Sequence, residues 1–536
     1  MSDRYDVVIV GYGPTGVTAA NLLGQAGLRV LVLERDASIY ARARAISTDE
    51  EVLRIWQRIG LADRLQQDML SGLPLDFVDS EARTFLSFQP ETRGSGYPPQ
   101  LFIYQPALEQ VLRDGVERFP NVEVRLEHEV LRVRDLGDGV EVTALAAGSD
   151  TVSRFSASYV IACDGGSSPI RAQLGVGFAG RTYEDRWVVI DTEVVQEWPE
   201  KDRLRFHCDP QRPAVDCPTP LGHHRWEFPV LPGEDESELV SDEGVWRLLT
   251  KQGITEDHVK VLRAVVYSHH VRFAARWRIG RVFLAGDAAH VMPPWIGQGM
   301  AAGVRDASNL CWKLTGVLNG ELPESVLDSY EQERQPHVRA VTDAAVFFGK
   351  VICERHPLLV RLRNPLFRGA MRAPKVGDYL RSGRWFPDPY YPRGFHTNSK
   401  PALTGRLAKQ REQSDSRKQD SAIGRCLPQP WVLDADGQRV RLDQVLDLRW
   451  TVLTTSPGPD PAPHWPGVPV LRVLPAGSTA QPGALVDCDQ VLIPWLDQYG
   501  ITTAALRPDG FVYTAGKHLD APPTGLIAAR TLEGAR

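Results

Sequence analysis

The sequence predicts a mixed α/β chain of several units, and three observations predict it. A strand, a glycine turn, a helix and a second strand open the chain over residues 5–34. Short alternating segments over residues 183–271 read as antiparallel strands with one exposed face. Strand-like runs return after residue 405. A length of 536 residues exceeds one compact core, so two or three domains are expected. Apolar residues make up 43% and charged residues 24%, which fits a globular protein. Net charge is −6 with no basic block, so no nucleic-acid partner is expected; nor is there a dense acidic tail of the kind that marks disorder.

No window reaches the apolar length needed to span a bilayer, so no membrane partner is expected. The first residues are acidic and charged, and their apolar run covers only residues 7–10. A secretory signal would need a basic start and a longer run, so a cytoplasmic protein is expected. The seven cysteines, at 163, 208, 217, 311, 353, 426 and 488, contain no C-x-x-C pair. Their spacing indicates neither a disulfide framework nor a zinc site, and buried thiols are expected.

The opening element is "YDVVIVGYGPTGVTAANLLGQAGLRVLVLER". Gly11, Gly13 and Gly16 form G-x-G-x-x-G between a buried strand and a helix. Gly11 serves the tight turn, Gly13 the approach of a pyrophosphate, and Gly16 close helix–strand packing. With Pro14 and Thr15 in the loop, free amides at the helix start can meet phosphates. Glu34, about 20 residues on, is placed to accept ribose hydroxyls, and Arg35 follows it. The acid disfavours a 2′-phosphorylated ribose and leaves NAD or FAD. A dehydrogenase would continue as regular βαβ units, and this chain does not. Instead Ser47 with Glu50, and Thr48 with Glu51, have capping-box spacing ahead of a helix over residues 49–58. Arg42 and Arg44 precede it and suit an anionic ligand or plain surface charge.

A second motif lies in "VIACDGGSSPIRAQLGV", where Asp164, Gly165, Ser168 and Arg171 give D-G-x-x-S-x-x-R after a strand. A capped turn with proline in the first helical turn explains it structurally. A third lies in "LAGDAAHVMPPWIGQGMAAG", where a strand ends at Gly286 and Asp287 before a proline- and glycine-rich loop.

In that order, the three motifs resemble the single-component FAD-dependent aromatic hydroxylases of the p-hydroxybenzoate hydroxylase fold. "DPQRPAV", "HHRWEFPVLPGE", "RWRIGRVFLAGDAAHVMPPWIGQGM" and "SYEQERQPH" bring the resemblance nearest to 3-(3-hydroxyphenyl)propionate hydroxylases. It covers residues 5–337 and thins beyond. The resemblance implies a Rossmann-like FAD-binding domain, an antiparallel-sheet substrate domain and a C-terminal thioredoxin-like domain. It implies that Asp287 accepts hydroxyls of the ribityl chain, and that Gly297, Gly299 and Met300 lie at the flavin ring. A helix N-terminus there would stabilise the ring when reduction makes it negative. It further implies that Gln105 contacts the flavin, with Arg44 nearby and Asp164 at the edge of the site. One G-x-G-x-x-G means that NADH or NADPH visits a groove and has no domain of its own. The implied reaction consumes NAD(P)H and O2 and hydroxylates a phenolic acid ortho to its hydroxyl, giving a catechol. The expected substrate is 3-(3-hydroxyphenyl)propionate or 3-hydroxycinnamate.

The expected division is an FAD-binding domain over 1–180, a substrate sheet over 181–273, completion of the FAD domain with helices over 274–400, and the C-terminal domain over 401–536. His207, Arg225, Trp226 and Tyr267 are candidates for the substrate pocket, each of them equally readable as an ordinary sheet residue. His290 reads as a structural histidine, and Arg305 with Asp306 as the solvated or capping face of a helix. Residues 399–424 read as a polar connection. The C-terminal unit lacks a redox cysteine pair, so a structural or oligomerisation role is expected. A homodimer is compatible with this reading and not required by it. Three alternatives stay open: a same-fold hydroxylase of a larger polyketide or bicyclic phenol, an FAD oxidase or dehydrogenase, and a flavin-free nucleotide-binding scaffold.

Overall fold

A computed structural model describes residues 4–39, 44–398, 421–458 and 462–526; the side chains of 182–185 are not described. Arg42 and most of the polar connection near residue 400 lie outside the described residues.

The first sheet grows from the opening strand, Arg4–Val10, whose last residues are fully apolar and buried. It pairs in parallel with Val30–Leu33 on one side and Val152–Ala162 on the other, and the latter pairs in parallel with Val282–Leu284. Strands covered on both faces read as continuous apolar runs, which is why all three motif strands were visible in the sequence. Their carboxyl ends lie side by side, and each of the three motifs starts at one of them. Ligands of open parallel sheets bind outside such ends. The helix Pro14–Gln25 follows the first strand with proline in its first turn and no side-chain cap.

The second sheet is largely antiparallel. Its strands run in the order His290–Val291, Val259–Ala274, Phe178–Val194, His223–Pro229, Ala214–Thr219, Leu204–His207, Leu75–Val78 and Thr84–Phe88. The sheet therefore recruits two strands from the first 180 residues and one from the loop after Asp287. It is built into the first unit at both edges. The C-terminal sheet has seven strands, of which Thr451–Thr454, Val470–Leu474 and Ala484–Asp487 are parallel neighbours. No described cysteine is in a disulfide.

Two local expectations are corrected. The helix Glu50–Arg58 is capped by Asp49, whose Oδ1 accepts from the amides of Glu51 and Val52 at 3.1 Å each; Ser47–Asp49 is a short strand. The strand pairing with Gln100–Phe102 occupies Ser47 and Thr48, so the cap moves to the next acceptor. Arg305 and Asp306 are not solvated. Both are buried in the helix Gly299–Leu318, because that helix is enclosed between the first sheet, its neighbouring helices and the C-terminal unit.

The C-terminal unit is joined to the first by buried ion pairs. Asp443 accepts from Arg54 at 2.6 and 2.8 Å and from Arg58 at 2.7 Å. Removing one member of such a cluster leaves buried charge uncompensated. Asp443→Ala is expected to lower stability by about 3–5 kcal/mol, seen as a lower denaturant midpoint; an unchanged midpoint would contradict the role given to this carboxylate.

Candidate active site

The three strand ends surround one elongated space. A cavity of about 440 Å³ is lined by Gly13, Thr15, Asp287, Gly297, Gly299 and Met300 together with apolar residues of the second sheet. A groove of about 750 Å³ is lined by Gly11, Glu34, Arg35, Asp164 and Ile170, among others. Gly13, Pro14, Arg44, Gln105, Cys163 and Gly165 line both, so the two are continuous. A single long ligand can therefore lie against Gly13 and Gly299 together.

The walls fit a dinucleotide bearing a planar ring. A Cβ built at Gly13 meets nothing within 4 Å, which is the free approach a pyrophosphate needs. Glu34 lines the groove and also orders its own loop, accepting from Tyr12 N at 2.7 Å and Asp36 N at 2.9 Å. Arg35 is exposed, its Nε 4.0 Å from Asp36. Gln105 accepts from the amides of Arg44 and Ala45 at 2.8 and 2.7 Å and donates to Glu109 at 2.7 Å. Its side chain thus pins the Arg44 backbone at the cavity edge.

The second motif braces the other two. Ser168 Oγ donates to Asp164 at 2.6 Å and accepts from Arg171 N at 3.0 Å. Burial raises the Asp164 carboxyl, and the Ser168 and Ile170 donors draw it back. Arg171 donates to Ala288 O at 2.9 Å and Gly166 O at 2.8 Å. Gly286 needs a positive φ of 59°, and a Cβ there would lie 2.6 Å from Thr15 Oγ1.

Asp287 differs from these residues. Its carboxylate has no hydrogen bond or ion pair with any described residue. It opens onto the cavity and is enclosed by protein elsewhere, so it has exposed surface and is still desolvated. Burial raises it, with His290 and Arg44 opposing. A carboxylate so placed requires donors from a ligand, and polyol hydroxyls would supply them. His290 is structural, its Nε2 2.6 Å from Asp306 Oδ2. The helix Gly299–Leu318 directs its N-terminus to the cavity, and no atom approaches a Cβ built at Gly299 closer than Met292 Cγ at 3.8 Å.

The comparisons with known proteins agree with this geometry. Residues 4–345 match the family described as FAD binding domain, and residues 424–528 match the HcaD C-terminal domain. A 3-(3-hydroxy-phenyl)propionate/3-hydroxycinnamic acid hydroxylase of Burkholderia cenocepacia is 35% identical over 528 residues, 95% of this chain and 93% of the relative. One of Comamonas testosteroni with the same name is 34% identical over 562 residues, 95% and 94% of the two chains. The chain belongs to the FAD-dependent aromatic hydroxylases. The fold of this hydroxylase is shared by the flavin-dependent monooxygenase PieE, solved with FAD and substrate, at a TM-score of 0.78, 23% identity and 96% coverage of each chain. OxyS anhydrotetracycline hydroxylase from Streptomyces rimosus gives 0.73 at 27% identity, again with 96% of each chain.

Of the four pocket candidates named from sequence, none is among the residues lining the cavity of this hydroxylase. Side chains alternate across a sheet, and His207 and Trp226 point away from the cavity. His207 Nε2 lies 3.5 Å from Asp216, and Trp226 packs at 4.3 Å from His224. Arg225 is on the cavity face but tied to Asp191 at 2.6 and 3.2 Å and to Arg44 O at 3.0 Å. Tyr267 lies further along the sheet, accepting from Arg263 at 3.2 Å. The wall is formed instead by Phe77, Phe88, Phe206, Val215, Glu227 and Trp295. Period-2 counting along "HRWEFPVL" separates Glu227 from Trp226 and leaves open which of the two faces inward.

Asp287→Ala is expected to weaken FAD retention roughly ten- to a hundredfold, the loss of about 1.5–3 kcal/mol in hydrogen bonds to a charged group. Flavin absorbance per protein after gel filtration measures it, and wild-type flavin content in the variant would remove Asp287 from the site.

Proposed function

We propose that this hydroxylase converts 3-(3-hydroxyphenyl)propionate or 3-hydroxycinnamate to the catechol, with NAD(P)H and O2 as co-substrates. The observation carrying the proposal is the continuous cavity, glycine-walled where phosphates would lie and aromatic beside Gly299 and Met300. FAD supplies the transfer of electrons from NAD(P)H to O2 and the delivery of one oxygen atom. Gly11, Gly13, Pro14, Thr15 and Gly16 receive the pyrophosphate, with Asp164 bracing the turn beside them. Glu34 receives the ribose, Arg35 borders the groove, and Gly286 and Asp287 hold the ribityl chain. Gln105 fixes the Arg44 backbone at the edge of the ring. Gly297, at a positive φ of 64°, lets the loop pack against Ser47, and the amides of Gly299 and Met300 would meet the pyrimidine edge of the ring. The roof excludes water and orients the phenol for attack ortho to its hydroxyl. The need for NAD(P)H is the ground for a cytoplasmic location; among the described residues no helix is long and apolar enough to cross a membrane.

A second reading, oxidation of a larger polycyclic phenol, is favoured by the full-length correspondence with OxyS. The purified holoenzyme is to be given NADH or NADPH with a panel of phenolic acids and bicyclic phenols. The expected outcome is stimulated coenzyme oxidation and a product heavier by one oxygen atom for 3-(3-hydroxyphenyl)propionate. Peroxide formed one-for-one with coenzyme, without an oxygenated product, would mean an oxidase.

A further inference from the structure

Apart from Asp287, assigned above to the ligand's polyol, the buried carboxylates beside the cavity are, with one exception, saturated. Asp49 and Glu51 bind Arg305 at 2.5 and 2.6 Å, and Glu50 accepts from Arg93 N at 2.5 Å, Ser95 N at 2.9 Å and Thr92 Oγ1 at 2.8 Å. Glu227 is the exception. It is 8% exposed and lines the cavity, and its oxygens accept no hydrogen bond from any described residue. Among the described residues its one ion-pair partner is Arg225, whose Nη1 stands 4.0 Å from Oε1, and Arg225 is itself held by Asp191. A carboxylate removed from water in this way requires a donor, and the cavity is where one can enter.

The sheet register locates Glu227. On the cavity face one row joins Phe77, Phe206, Val215, Glu227 and Val189 across five strands. The row on one side contains Asp191 and Arg225 and reaches Arg44 O at 3.0 Å. The row on the other contains Trp187, whose ring meets Trp295 edge-on at 4.9 Å, two residues before Gly297. Glu227 thus faces the stretch of cavity between Arg44 and the loop leading to Gly299. On the functional reading above, a phenol over the ring must lie there.

We propose that Glu227 is the catalytic base for the substrate phenol, its carboxylate accepting the phenolic O–H and taking that proton as the ring is oxygenated. The O–H bond breaks and its electron pair moves through the ring to the ortho carbon, which forms the new C–O bond. Glu227 then returns the proton to the same oxygen as the ortho carbon loses its hydrogen to water and the ring regains aromaticity. The O–O bond breaks as the C–O bond forms, and the second atom of O2 takes up protons and leaves as water, the two electrons that O2 needs coming from NAD(P)H.

Charged and titratable groups around Glu227 are Arg225 on its own strand, Asp191 and Cys217 on the neighbouring strands, and Arg44 and Asp287 on the same cavity. Burial raises the Glu227 carboxyl most, Asp191 adds to this, and Arg225 opposes it. The base is ionised above that raised value, so product formation falls as pH drops through it.

The test compares holoenzymes of wild type, Glu227→Gln and Glu227→Asp for FAD content, NAD(P)H oxidation and product formation against pH, on the phenol that wild type oxygenates. Glu227→Gln is expected to keep FAD and to bind the phenol with a KM within a few-fold. Its kcat for product should fall about 10²–10⁴-fold, the range for a positioned base, with the acidic limb lost and coenzyme oxidation diverted to peroxide. Glu227→Asp, which retains a carboxylate, should recover part of kcat and show a displaced limb. Wild-type kcat and pH profile in Glu227→Gln would overturn the proposal, as would an unaltered acidic limb in both variants. Absence of any oxygenated product from wild type is a different failure: it overturns the functional reading, and this base with it.

Discussion

The architecture of the site depends on one buried carboxylate, Asp306. It has no solvent exposure and accepts from Gly286 N at 3.0 Å, His290 at 2.6 Å and Arg334 Nε at 2.9 Å. Burial alone would raise it; His290 and Arg334 together hold it below the ordinary carboxylate range. Through these bonds the loop bearing Asp287 is fastened to the helix whose first residues are Gly299 and Met300. A pair this deep is strongly coupled to its partners, because removing either partner strands a charge in a low dielectric. Arg171, binding Ala288 O from the second motif, completes the tie between strand ends. The separation of Asp287 from Gly299 and Met300 across the cavity is thereby fixed before any ligand arrives.

The far end of the same helix is anchored by Glu333. It accepts from Lys313 and Arg507 at 2.8 Å each and from Asn309 at 2.6 Å. Arg507 belongs to the C-terminal unit, and Trp312 of the helix also donates to Asp509 at 3.0 Å. The C-terminal unit therefore steadies this helix from behind. Its chemistry is consistent with that role: burial pushes the Cys426 thiol up to about 11, far from the low values of reactive cysteines.

Polarity changes along the cavity in the order the proposed ligand requires. At one end, amides and an unsatisfied helix start suit anions. In the middle, Asp287 suits hydroxyls. At the other end the roof is aromatic, with Phe77 and Phe206 at 4.8 Å and a lone carboxylate between them and Arg225. Strand His290–Val291 follows the Asp287 loop directly into that roof, so the sheet that roofs the cavity and the loop bearing Asp287 share one backbone connection.

What the sequence revealed and what it hid follow from the range of the interactions. Gly11 to Glu34, Asp164 to Arg171 and Gly286 to Met300 were legible because each motif is local: a buried strand, a turn and a helix start within about thirty residues. Asp306 was misread because its own helix shows a polar i, i+1 pair with Arg305, and only Arg334 and His290, brought in by tertiary packing, make burial tolerable. The roof residues required two facts, and the sequence supplies one. Alternation sets Glu227 and Arg225 against Trp226, but which set faces inward depends on register with Phe206 and Phe77, more than a hundred residues apart. Within its strand Glu227 shares a face with Arg225, and the apolar row that surrounds its charge forms only across strands, from Phe77, Phe206 and Val215. That row marks a position where folding accepts a desolvated charge, and such positions are where a substrate can supply the missing partner.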